Sequence, residues 1–74
     1  MNNARRKKIR TIAEQLGEIM TELEMLKDEE EEYLNNIPEN LQSSERYELA
    51  ENAIDNIDSA CDNLDEAIIS IEEV

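Results

Sequence analysis

Apolar residues recur at alternating spacings of three and four along the first half of this chain. They are Ile9, Ile12, Leu16, Ile19, Leu23 and Leu26, after which Glu30 takes one place and Tyr33 and Ile37 resume the series. This alternation is typical of the a and d seam of a heptad coiled coil. It predicts a first helix over about residues 3–35, with one face packed against another helix.

The second half of the chain repeats the same alternation. Its apolar positions are Tyr47, Ala50, Ile54, Ile57, Cys61, Leu64, Ile68 and Ile71. Between the two series lies the only proline, Pro38, which disfavours helix at the residue before it. Ser43 or Ser44 can cap a following helix by accepting a backbone N–H bond. We therefore expect a turn over about residues 36–43 and a second helix over about residues 44–73.

The two series predict an antiparallel pair. When the chain is folded back at residue 40, Ile9 lies opposite Ile71 and Leu23 lies opposite Ile57, and each pair joins an a position to a d position. The fold class is therefore all-α, a two-helix coiled-coil hairpin that forms a single domain over residues 1–74. The same register places Lys27 near Glu51, a pairing of opposite charges that favours the antiparallel orientation.

The flanks of the predicted seam indicate self-association. Helix 2 carries alanines at g positions beside a column of uncharged residues. The apolar face of helix 1 extends to the flank on the opposite side of the hairpin. The residues are Ala53, Ala60 and Ala67, then Leu49, Asn56 and Asn63, and Met20 on helix 1. Small side chains at this spacing allow another helix to approach, so we expect two hairpins to form a dimeric four-helix bundle. The alternative is a monomer whose alanines only favour helix.

Composition narrows the classes of function. The 74 residues contain 20 acids, seven bases, one cysteine and no histidine, giving a net charge of −13. A disulfide within the chain is excluded, and neither a histidine-based catalytic set nor a transition-metal site is expected. We therefore predict a protein without enzymatic activity or cofactor. A lone cysteine and the lack of an apolar export signal or membrane span favour the cytoplasm.

Acidic residues crowd one edge of helix 2 and the end of helix 1. The candidate partner-binding residues are Asp28, Glu29, Glu31 and Glu32 on helix 1, with Glu48, Glu51, Asp55, Asp58, Asp62, Asp65 and the interrupting Ile69 on helix 2. One interpretation is a solvated face, since like charges at this spacing repel and still keep a protein soluble. The other is a surface for a basic protein, on which carboxylates imitate the phosphates of nucleic acid.

The bases are concentrated at the start of the chain. They are Arg5, Arg6, Lys7, Lys8 and Arg10, and residues 1–10 contain no acid. Such a cluster can bind phosphates, but it contains no aromatic residue on which a base could stack. We expect it to orient the hairpin against the acidic end of helix 2, with nucleic-acid contact as the alternative.

Several segments resemble a group of short, acidic helical-hairpin proteins encoded in prophages of Gram-positive bacteria. The segments are "RRKKI", "DEEEEY", "NIPENLQSSERYE" and "AENAIDNID". The resemblance covers nearly the whole chain, and its most specific part is the turn. It implies a phage accessory protein in a bacterial cytoplasm, and it assigns no activity and no functional residues.

The sequence therefore favours an acidic, self-associating module that binds a basic host protein. We expect it to inhibit a host factor that handles nucleic acid or acts in defence, by means of its acidic face. Two alternatives remain open: an adaptor that binds nucleic acid through its basic start, and a purely structural assembly subunit.

Overall fold

A computed structural model describes all 74 residues as two long helices joined by a short turn. Helix α1 spans Asn3–Asn35, a 3-10 turn spans Glu39–Leu41, and helix α2 spans Glu45–Glu72. No strand is present, so the prediction of an all-helical chain with two long helices is confirmed. The molecule measures 60 × 14 × 12 Å. Its radius of gyration is 17.2 Å, against about 11 Å for a globular domain of this length.

Side-chain caps define where both helices begin. The Asn2 side-chain oxygen accepts a hydrogen bond from the backbone N–H of Arg5 at 2.8 Å. The Ser44 hydroxyl oxygen accepts one from the backbone N–H of Tyr47 at 3.3 Å, so Ser44 is the cap of α2. Each cap satisfies a backbone donor that has no partner within its own helix.

The charges at the helix ends differ between the two helices. Glu45 and Glu48 lie in the first turn of α2, where negative charges interact favourably with the helix dipole. The last turn of α1 contains no base and follows the acidic residues 28–32. Acids at a helix C-terminus are unfavourable. The α1 terminus therefore carries an electrostatic cost that its own helix does not offset.

The packed face of α2 is the predicted one, whereas the packed face of α1 is rotated. On α2 every predicted seam position is buried or half-buried. On α1 the buried and half-buried seam positions are Ile9, Ala13, Leu16, Met20, Leu23, Lys27, Glu30 and Leu34, and Ile37 in the turn is half-buried as well. The predicted seam was therefore wrong for one column of α1. Ile12, Ile19, Leu26 and Tyr33 were expected inside, and they are 42–54% exposed.

The register along the helices survives this rotation. Ile9 and Ile71 line one shallow cavity, as the fold-back at residue 40 requires. Ala13, in place of Ile12, lines a second cavity with Ile68. The rotation turns α1 about its own axis without sliding it along α2.

The interior of the isolated hairpin is small. Only Ala13, Ala50 and Cys61 are buried, at 6%, 3% and 7% exposure. All three side chains are small, so the helices can approach each other closely at these positions. The accessible surface is 5863 Å². A compact monomer of 8.6 kDa exposes about 4,700 Å². The hairpin therefore leaves more surface open than a chain of its mass usually does.

Gly17 lies in the middle of α1 without a structural need for glycine. Its φ is negative, and a Cβ built on its backbone meets no atom within 4 Å. We expect Gly17→Ala to raise the free energy of unfolding by about 0.5–1 kcal/mol, because alanine loses less backbone entropy in a helix. Urea unfolding followed by circular dichroism measures this. A destabilised variant would contradict the open surroundings of Gly17.

Candidate functional site

One ion pair joins the two helices and fixes which flanks face each other. The Lys27 ammonium donates a hydrogen bond to the Asp58 carboxylate at 3.1 Å, and this is the only ion pair in the structure. The expected neighbour of Lys27 was Glu51, which lies seven residues before Asp58 on the same flank of α2, so that expectation was wrong. The two positions are about 10 Å apart along the helix, so Lys27 reaches further along α2 than the fold-back at residue 40 predicts.

The hairpin has an acidic side. Its residues line two neighbouring shallow cavities between the helices and are Glu14 and Glu24 from α1 with Asp58, Asp62, Asp65 and Glu72 from α2. Arg10 and Lys27 are the only bases among the lining residues of these cavities, so carboxylates outnumber cations there. We call this surface the acidic side. Because Asp58 already bonds Lys27, the other five carboxylates are the ones free of an ion pair.

The other candidate acids lie around or beyond this surface. Glu48, Glu51 and Asp55 are exposed and continue the acidic edge of α2 towards the turn. Ile69 is 51% exposed on the same edge. Residues 28–32 occupy the last two turns of α1, and five consecutive helical residues point in all directions. Asp28, Glu29, Glu31 and Glu32 therefore surround the end of α1 and do not extend the acidic edge as one face.

The opposite side of the hairpin is apolar. It combines the exposed α1 column with the half-buried alanines of α2, and we call it the apolar side: Ile12, Ile19, Leu26, Tyr33, Ala53, Ala60 and Ala67. Helical geometry places these columns together, because Lys27 and Asp58 occupy the other flank of each helix.

The residues expected to mediate self-association divide between the two sides. Ala53, Ala60 and Ala67 lie on the apolar side. The exposed Leu49, Asn56 and Asn63 border it, and Leu49 is 61% exposed. Met20 lies instead between the helices on the acidic side, where it lines cavities with Cys61 and Asp65.

The basic cluster is exposed but not isolated from acids. Arg5, Arg6, Lys7, Lys8 and Arg10 all expose their side chains. Arg6 and Arg10 line one cavity with Glu72 and Glu73, although neither arginine forms an ion pair. Neighbouring carboxylates weaken the positive potential that a phosphate would meet.

Two ionisable groups between the helices have raised pKa values. The hydrogen bond and the charge of Asp58 raise the pKa of Lys27. Burial raises the pKa of the Cys61 thiol, and the nearby carboxylate of Glu24 adds to the rise. Both groups therefore keep their protons more firmly in the folded chain than in the unfolded one.

This arrangement predicts loss of stability at alkaline pH. A folded-state pKa above the unfolded value gives stability that is complete below the unfolded pKa and declines as the pH rises. The thiol contribution should decline above about pH 8.5, and that of Lys27 above about pH 10.4. Urea unfolding under reducing conditions should show less stability at pH 9.5 than at pH 7. Cys61→Ala should show a smaller decline, and an equal decline would contradict the role of the thiol.

Sequence reasoning missed Glu14 and Glu24 and the exposure of the apolar column. Glu24 could have been found from its heptad position. It shares a column with Gly17 and Glu31, and this column lies beside the seam that the structure shows. The predicted seam was the more apolar of two adjacent columns, and Glu24 lies away from that column.

Comparison with known proteins does not assign a family. No protein-family model matches the chain, and no curated protein or solved structure matches it either. The structure brings no three metal-ligating side chains together as a metal site. Neither helix combines the length and apolar character that a membrane span requires.

Proposed function

We propose that this protein is a dimeric acidic module that binds a basic protein partner and has no enzymatic activity. The two hairpins pack through their apolar sides into a four-helix bundle. The acidic side of each hairpin then remains open to the partner. The observation that carries this proposal is the separation of the two surfaces onto opposite sides of one hairpin.

The separation supports two different uses. Apolar side chains that are about half exposed gain most from contact with another apolar surface. Carboxylates without ion pairs instead repel one another, and a basic surface relieves that repulsion. A chain whose acids served only to keep it in solution would not need them gathered along one edge of α2.

The partner chemistry follows from the charge. Carboxylates of Asp62, Asp65 and Glu72 can accept hydrogen bonds from lysine and arginine side chains. Such side chains are concentrated on proteins that bind nucleic acid, and the acidic side would compete for them. We propose a bacterial host protein of this kind as the target of a phage accessory protein that acts as its inhibitor in the cytoplasm.

Direct binding of nucleic acid is less well supported. The net charge of −13 repels phosphates, and the basic cluster lies beside Glu72 and Glu73. If the protein were a purely structural subunit, the apolar side would serve assembly, but the acidic edge would have no role.

Affinity capture tests the proposal. The immobilised protein should retain a basic protein from a bacterial extract at about 50 mM salt and release it at about 500 mM salt. A variant in which Asp62 and Asp65 are replaced by Asn and Glu72 by Gln should retain much less of that protein. Retention of nucleic acid by the wild type, or of the same proteins by both forms, would contradict the proposal.

A further inference from the structure

We propose that the apolar side contacts a second copy of this chain in a head-to-tail arrangement, with the turn of each hairpin beside the open end of the other. This inference rests on the proposed dimer and adds the orientation of its two copies. The arguments come from the exposed apolar column and from the charge at the two ends of the hairpin.

The apolar side is a continuous exposed column. Ile12, Ile19, Leu26 and Tyr33 form one column along α1, and each is between 42% and 54% exposed. The column is about 32 Å long, on a hairpin 60 Å in length. A second copy of the hairpin is long enough to cover the whole column.

Small residues on α2, beside this column on the same apolar side, allow close packing. Ala53, Ala60 and Ala67 run along α2 at seven-residue spacing and are half-buried. The large side chains of α1 in one copy can therefore lie against the alanines of α2 in the other. This complementarity of large and small columns is typical of the interior of four-helix bundles.

The charge distribution selects the orientation. Around the turn, residues 28–51 contain nine acids and one base. At the open end, residues 1–12 contain five bases and no acid, and residues 66–74 contain three acids. The two ends therefore carry net charges of −8 and +2. A head-to-tail pair sets these ends against each other, whereas a parallel pair sets the two strongly acidic turns side by side.

Arg46 lies at the turn end of the apolar side. It is the only base after Lys27, and it makes no ion pair within its own chain. Seven residues before Ala53, it continues the alanine column to the turn. There it lines an open cavity of about 430 Å³ with Tyr33, Ile37 and Leu41. In a head-to-tail dimer this cavity lies beside the open end of the second copy.

Sedimentation equilibrium tests the contact surface. The wild type should sediment at about twice 8.6 kDa near 100 μM. Ile19→Asp should weaken the dimer about 100-fold or more, because two buried isoleucines per dimer are lost. The matched control is Ile69→Asp, which changes the same residue type at similar exposure on the acidic side. It should alter the dimer constant by less than about threefold.

Pulsed electron paramagnetic resonance, which measures the distance between two nitroxide labels, tests the relative orientation of the two hairpins. A nitroxide is attached at Asn40→Cys in a Cys61→Ala background, so that each hairpin carries one label at its turn. Head-to-tail packing should separate the two labels by about 50–60 Å, since the hairpin is 60 Å long. Parallel packing would bring them within about 30 Å, since each hairpin is 14 Å wide. A label at Ser59→Cys, near the middle of α2, should give a short distance in either case.

The outcomes separate this inference from the proposed function. A wild type that is monomeric near 100 μM, or equal effects of the two aspartate variants, would overturn the contact surface. A short distance between turn labels would overturn the head-to-tail order. If Ile19→Asp loses helicity, Ile12→Gln replaces it in the same comparison. Capture of a basic protein depends on the acidic side. If the wild type forms the predicted dimer but captures no basic protein, the proposed function fails and this inference stands.

Discussion

Replacing Ala50 with Leu is expected to lower the free energy of unfolding by about 1–3 kcal/mol, as overpacking a tight contact does. Ala50 is the most buried residue of the chain, at 3% exposure. The register places it opposite Glu30, whose side chain is half-buried. Three further carbon atoms at Ala50 must push the helices apart or expel Glu30 from its position. Either change reduces contact along the neighbouring seam positions.

Urea unfolding at one fixed protein concentration measures this effect, because association also stabilises the folded chain. The matched control is Ala4→Leu, the same substitution at an exposed alanine of α1. It should change the free energy of unfolding by no more than about 0.5 kcal/mol. If Ala50→Leu were as stable as this control, the closest approach of the helices would not lie at Ala50.

Much of the fold follows from heptad periodicity. Apolar spacing along α2 predicts its packed face, and Pro38 with Ser44 marks the turn and the second cap. These features depend on local backbone chemistry and on one unambiguous seam. The fold-back register also follows from spacing, since Ile9 and Ile71 do line one cavity.

The packed face of α1 could not be predicted in the same way, because two columns compete for it. The first column contains Ile12 and Ile19, and the second contains Ala13 and Met20. Hydropathy favours the first column, but the structure packs the second against α2. The smaller Ala13 permits closer approach, and Lys27 in the same column gains its bond to Asp58. Packing against a partner helix decides such a choice, and hydropathy alone does not record it.

The same ambiguity limited the prediction of the candidate site. The acidic edge of α2 is visible in the sequence because its acids recur at regular helical spacing. Which α1 residues border it depends on the rotation of α1, so Glu24 was missed. The apolar side was likewise hidden, since Leu26 was assigned to the interior and is 54% exposed. These two errors have one cause, a turn of α1 about its axis.

Replacing Asp62 and Asp65 with Asn and Glu72 with Gln is expected to weaken binding of the basic partner by about tenfold, at roughly 0.5 kcal/mol for each exposed charge. The affinity should also depend less on salt, because fewer charged contacts remain to be screened. Titration of the purified partner at about 50 and 500 mM salt measures both effects. Asn and Gln keep the sizes of Asp and Glu, and Asp58 keeps its bond to Lys27, so the shape of the acidic side is preserved.

The control for this variant must change the net charge equally at another place. Replacing Glu18, Glu22 and Glu66 with Gln does so, because it also removes three carboxylates and leaves the acidic side intact. If binding depends only on overall charge, both variants should weaken it alike at low salt, since long-range attraction is insensitive to position. If the acidic side is the contact, the first variant should bind more weakly than the second at about 50 mM salt, and the difference should shrink at about 500 mM salt, where the charges are screened. Equal binding by both variants and the wild type would mean that the acids form only a solvated face.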